Sequence, residues 1–278
     1  MRLLYVTDLH GHEAKYRRVA HLAREHMVDL VVNGGDMLTK SRDMHTDQAR
    51  FLYKVLEPFL AELDDTGIGH IGYLGNDDLR IFDEPFDTLC NRYPGAVNLA
   101  QDIHRVDEYE FIGLNWVDDY PFRLKDRCRL DTRESPLGTQ LGTGLLSVHD
   151  GFEELEDWYA YVSLLPSIEQ ELDALPVPDN PANAIYVIHT PPANLGLDVC
   201  ANGRTVGSAA VHRFIERRQP LLTLHGHIHE SPDLSGVWQA RLGRTTCIQP
   251  GQLRPLSCVV IELPSLETER ILEDQTPT

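Results

Sequence analysis

Three short apolar runs in the first third of the chain stop in the same manner, at glycine beside a carboxylate or an amide. They are RLLYVTD (2–8), DLVVNGGD (29–36) and IGHIGYLGND (68–77). Helical patterns covering 14–26 and 46–63 lie between them, and strand alternating with helix predicts an α/β sheet with parallel neighbours. In open sheets of this kind ligands bind in the crevice beyond the carboxyl ends of the strands. The stretches Asp8–Gly11, Gly34–Asp36 and Gly75–Asp78 are therefore expected to meet at one site.

The second half follows the same grammar more loosely. AIYVIHTPP (184–192) and PLLTLHGHIH (220–229) read as strands breaking into histidine-rich loops, and TTCIQPG (245–251) and LSCVVIEL (256–263) read as further strands. In GRTVGSAAVHRFI a loop passes into a helix, with Ser208 as its N-cap. No linker separates the halves and ligand-type residues end strands in both, so a single domain over 1–278 is expected. The segment 116–175 is rich in proline, glycine and charge before a helical pattern over 152–175, and reads as an insertion beside the site.

Composition narrows the partners. A formal net charge of -18 in 278 residues disfavours extended nucleic acid, whose phosphates are bound by clustered Lys and Arg. An anionic ligand would need a local positive centre, which bound divalent cations can provide. The five cysteines are scattered with no Cys-x-x-Cys pair, predicting free, mostly buried thiols rather than a disulfide framework. Asp8 comes too early to leave room for a signal peptide, and no apolar run approaches the ~18 residues of a membrane span, so a cytoplasmic protein without membrane contact is expected. Self-association into a homo-oligomer is compatible with the sequence.

In chain order the polar strand-end residues are Asp8, His10, Asp36, Asn76, His189, His227 and His229. Imidazoles, carboxylates and one amide without a thiolate suit Mn, Fe, Ni or Zn, Mn being the first choice in vitro. Seven ligands exceed the needs of one small ion. Two ions about 3.5 to 4 Å apart and bridged by a carboxylate would use them all, generating hydroxide near neutral pH for attack on a phosphoester.

DLHG, GGD, GND, IHTPP and HGHIH follow in order the five motifs of the calcineurin-like metallophosphoesterases, and the chain resembles the small bacterial and archaeal phosphoesterases of that superfamily. CIQPGQL also resembles the turn after the last histidine motif, with Gln249 in place of Asn. The resemblance implies a four-layer α/β/β/α sandwich of two mixed sheets flanked by helices. It also implies that Asp8, His10 and His229 hold one ion, that Asn76, His189 and His227 hold the second, and that Asp36 bridges. The activity implied is hydrolysis of a small phosphoester through a metal-bridging hydroxide.

One position departs from the pattern. Asp77 stands where the family usually carries the histidine that serves the leaving group. An ionised Asp77 would repel a monoester dianion more than a diester monoanion, favouring phosphodiesters; alternatively its pKa is raised until it is a general acid. Asp78 is expected beside it at the leaving group, orienting neighbours, and His225 behind the metal ligands, orienting an imidazole. Other functional readings are a catalytically weak metal-bound scaffold, or a phosphomonoesterase or protein phosphatase. His12, Arg204 and Arg254 are candidates for touching a phosphate, with surface roles as the simpler reading, and Asp198 either bonds a ligand histidine or caps a turn. The stretch 119–133 interleaves Arg and Lys with acids and reads as a solvated edge or loop, with a substrate lid as the alternative.

Overall fold

The computed structural model describes residues 1–253 and 256–273, so Arg254 and the end of the polar tail lie outside the described residues. Two six-stranded sheets dominate. The first runs, edge to edge, Glu267–Glu273, Leu256–Glu262, Arg2–Val6, Leu30–Asn33, Gly69–Gly72 and Ala96–Asn98. The second runs Gln239–Leu242, Thr245–Ile248, Leu222–Leu224, Ala184–Ile188, Tyr109–Leu114 and Ile103–Val106.

The central strands are parallel, with Leu3 opposite Leu30 and Leu30 opposite Gly69 in one sheet, and Val187 opposite both Gly113 and Leu224 in the other. Such strands are buried on both faces, which is why they read as unbroken apolar runs. On Arg2–Val6 the two-residue period sends Leu3 and Tyr5 between the sheets, where they meet Ile185, Val187, Leu222 and Ile248. Leu4 and Val6 point outward into a core shared with Val19, Leu22, Leu60 and Phe86 of the covering helices Glu13–Glu25, Glu57–Asp65 and Asp83–Cys90. The outer face of the second sheet packs Ile112, Tyr186 and Ile188 on Leu172, Val211 and Phe214 of the helices Ile168–Ala174 and Ala209–Arg218. The result is the expected α/β/β/α sandwich, with the carboxyl ends of both parallel sets at one rim.

The helix over Glu13–Glu25 agrees with its pattern, burying Tyr16, Val19, Ala20 and Ala23. The next pattern folds as Met44–Phe51 and Glu57–Asp65 joined through a widened turn at Leu52–Leu56. Ser208 caps the later helix by accepting from the Val211 amide. Asp198 takes the turn role, its Oδ2 accepting from the Gly207 amide at 2.9 Å.

Two expectations for the middle of the chain are corrected. The pattern over 152–175 is not one helix: Gly151–Leu155 pairs with Gly144–Val148 as a hairpin, followed by short helices Trp158–Ser163 and Ile168–Ala174. Pro166 cannot continue the first of these, and Ser167 restarts the chain with a capping box to Gln170. Nor is 119–133 solvated throughout. Lys125 and Arg127 are each 1% exposed, Lys125 held by Asp119 and Arg127 by Asp83. Buried charges persist when paired and hydrogen-bonded; the stretch itself supplies the acid for Lys125, and the helix Asp83–Cys90 supplies the one for Arg127. Among the described residues no helix is long and apolar enough to cross a membrane.

Candidate metal centre

The strand ends deliver the polar residues to a common cleft through unusual backbone. Asp8, His10, Asp36 and His227 all have positive φ, at 55, 46, 52 and 66°, a region uncommon for residues other than glycine. Four such residues in four loop positions mark a place where tertiary contacts overrule local preference. Their amides explain how: Asp8 N donates to Gly35 O at 2.9 Å, His10 N to Asp36 O at 2.9 Å, and His227 N to the Asp8 carboxylate at 3.1 Å. Gly75 and Gly226 make the close approach feasible, because a Cβ on the first would overlap Asp36 and one on the second would overlap Thr7 and Asp8.

Two groups of donors result. On one side the Asn76 Oδ1 lies 2.9 Å from His189 Nε2 and 2.6 Å from His227 Nδ1. On the other the His10 and His229 rings stand edge to face at 5.4 Å. Asp36 reaches both: its Oδ1 is 3.6 Å from His189 Nε2 and its Oδ2 is 4.0 Å from His10 Nε2. Asp8, Asp36 and His189 place ligand atoms within 4.8 Å of one another, as do His10, Asp36 and Asp77. The Nδ1 atoms of His10 and His229 are buried without a hydrogen-bond partner. Buried nitrogen and oxygen donors that converge with partners unfilled fit divalent ions.

The charges there are strongly coupled. Burial pushes the Asp36 carboxyl up, but the His189 and His10 rings overcome it and hold the group below the usual carboxylate range. Against its burial, His189 is raised to about 9 by the Asp36 carboxylate, with Gly34 O 2.7 Å from its Nδ1. His227 is pushed down to about 3 by burial and by neighbouring His189. His227 is thus left with a lone pair to offer, and the positive charge that Asp36 draws onto His189 is one a metal ion would supply in place of the proton.

Asp77 lies at the cleft mouth. Its amide donates to Asp36 Oδ1 at 2.8 Å, and its Oδ2 sits 3.8 Å from His10 Nδ1 and 2.6 Å from Lys40 Nζ. Burial and then Asp36 raise its pKa, while Lys40 opposes the shift. Asp78 is elsewhere than at the leaving group: it is fully buried, accepting from the amides of Met37, Leu38 and Gly75 at 2.7 to 2.9 Å. It ties the loop carrying Asp36 to the loop carrying Asn76, and burial followed by Asp36 raises it to about 7. His225 also bonds no ligand side chain. Its ring meets the carbonyls of Ile188 and Thr190, on either side of His189, and the Thr223 hydroxyl, so it braces main chain. Gln249 braces likewise, donating to Gly226 O at 2.6 Å.

Several contributors carry no motif. Lys40 pairs with Asp77, Gln48 donates to Asp77 O at 2.8 Å, and Arg127 donates to Gly75 O at 2.7 Å from the middle segment. The Tyr120 ring packs 5.7 Å from that of His227 and 5.8 Å from that of exposed Phe122. The only hint in the sequence was the aromatics beside charges in 119–133. His12 is exposed at the start of its helix, and Arg204 is exposed in its loop.

The fold recurs in known proteins. The structure superimposes on the TT1561 protein of Thermus thermophilus with TM-score 0.61 at 18% identity, covering 98% of each chain. It also matches a dimetal phosphatase from Danio rerio with TM-score 0.50 at 13% identity, covering 98% of both chains. GAP50, the anchor in the inner membrane complex of Plasmodium, matches with TM-score 0.51 at 11% identity over 99% of this chain and 86% of the other. At these identities the likeness shows the fold. No curated protein sequence matches the chain. The sequence model for the calcineurin-like phosphoesterases, however, matches residues 1–231, so the chain belongs to the calcineurin-like phosphoesterase family, whose members hydrolyse phosphoesters with divalent metal ions.

Proposed function

We propose that the chain is a two-metal phosphoesterase that favours small phosphodiesters. The observation that carries this reading is Asp36, whose two oxygens reach separately toward the His10 side and the His189 side of the cleft. Asp8, His10 and His229 would hold one ion, Asn76, His189 and His227 the other, and Asp36 would lie between them. Divalent ions held so supply a water deprotonated near neutral pH and positive charge for the phosphoryl oxygens, with Mn the first to test and Fe, Ni and Zn suited to the same donors.

The chain's own residues do the positioning. Asp78 locks the Asp36 and Asn76 loops together, so the bridge and the amide oxygen cannot drift apart. Asn76 offers oxygen without charge, leaving the centre more attractive to an anion than a fourth carboxylate would. Tyr120 packs its ring beside that of His227 and forms part of the wall there. Beside the Asp8 and Asp36 carboxylates the mouth carries Asp77 paired with Lys40, a balance that suits a singly charged diester better than a dianionic monoester.

Hydrolysis of bis-p-nitrophenyl phosphate and p-nitrophenyl phosphate with added Mn tests the reading. Faster turnover of the diester is expected, abolished by chelator. Faster turnover of the monoester would replace diester preference with phosphomonoesterase activity, and turnover of neither would favour the metal-bound scaffold.

A further inference from the structure

We infer that Asp77 is a positioning residue whose task is to hold the ammonium of Lys40 at the mouth of the metal centre, where Lys40 binds the phosphoryl group of the substrate. The inference deepens the phosphoesterase reading and rests on it.

A carboxylate alone at this place is chemically awkward, since it faces an incoming anion. The structure pairs it: Lys40 Nζ lies 2.6 Å from Asp77 Oδ2, while the Asp77 amide bonds the Asp36 carboxylate at 2.8 Å. The ammonium is thus one carboxylate removed from the bridge-like ligand. An ammonium has three donors, and one bond to Asp77 leaves two for phosphoryl oxygens.

Exposed ion pairs are commonly weak because two flexible side chains must be ordered. This pair differs in how its backbones are built. The buried Gln48 amide nitrogen donates both to Thr39 O at 3.2 Å, next to Lys40, and to Asp77 O at 2.8 Å. Asp78 fixes the same two loops through Met37, Leu38 and Gly75. Asp77 keeps only 16% of its side chain exposed, whereas Lys40 keeps 60%, so the tether is anchored and the cation faces the solvent that a substrate would displace. In a chain of net charge -18, a cation delivered to this point also offsets the repulsion of the surrounding carboxylates.

The test uses the full Mn-loaded chain and inorganic phosphate, its affinity measured by calorimetry in wild type, Lys40→Gln, Lys40→Arg, Asp77→Asn and the double variant Lys40→Gln/Asp77→Asn. Lys40→Gln and Asp77→Asn should each weaken phosphate binding about tenfold. The double variant should be no worse than Lys40→Gln, Lys40→Arg should retain binding, and metal content should be unchanged in the two Lys40 single variants. Unchanged affinity in Lys40→Gln would overturn the inference. So would tighter binding in Asp77→Asn, equal with and without Lys40, because Asp77 would then be a plain repulsive charge. Ester hydrolysis by the wild type separates the two levels: hydrolysis with phosphate affinity indifferent to Lys40 sinks only the inference, whereas absence of both hydrolysis and phosphate binding sinks the phosphoesterase reading with it.

Discussion

Asp78 shows how an acid can matter near a metal centre without touching substrate. Its two oxygens take three buried amides, so Asp78→Ala would leave three donors unsatisfied. At about 1 to 3 kcal/mol for each, chemical denaturation should reveal a loss of at least about 3 kcal/mol; a loss below ~1 kcal/mol would mean the loops stand without it. The ligand-type residues were legible because each directly follows an apolar strand, where chain direction alone sends it to the rim. Lys40, Gln48 and Arg127 were not, since their partners lie 37, 29 and 52 residues away and only the folded loops bring them together. Asp78 was expected at the leaving group and His225 behind a ligand imidazole; both instead bond main chain or a hydroxyl, partners that their neighbours in sequence do not reveal.

At the scale of elements, alternation of apolar runs with helical patterns was enough for the sheets, because strands buried on both faces leave a strong signal. The segment 152–175 misled because apolar spacing persists across Pro166, while the backbone does not. The strand Gly69–Gly72 carries a cost of its own. His70 is buried with both ring nitrogens unpartnered, edge-on to Phe59, and burial pushes it down to about 4. The unfolded chain therefore binds a proton near pH 6.5 that the folded chain refuses until about pH 4. Stability is full above that window and falls as pH drops through it, by on the order of 3 kcal/mol. His70→Leu should flatten the unfolding free energy against pH in this range relative to wild type; an unchanged slope would show that His70 is not its source.

For the whole molecule, the acidic balance and the convergence of both sheets on one rim have a joint consequence. Bringing Asp8, Asp36 and Asp77 together in a chain of net charge -18 stores repulsion that cations would relieve. Saturating Mn should raise the melting temperature and chelator should reverse it, since a ligand at about 100 times its Kd adds about 2.7 kcal/mol per site. Mg at equal concentration should do less, because nitrogen donors suit Mn better; equal effects would point to unspecific screening.

The most direct measurement of the two-ion centre is metal content per folded chain after reconstitution with Mn and removal of free ion, for wild type and His227→Ala. Two ions per chain in the wild type, falling to one in the variant, is the expected result. One ion per chain in both would contradict the paired centre around Asp36.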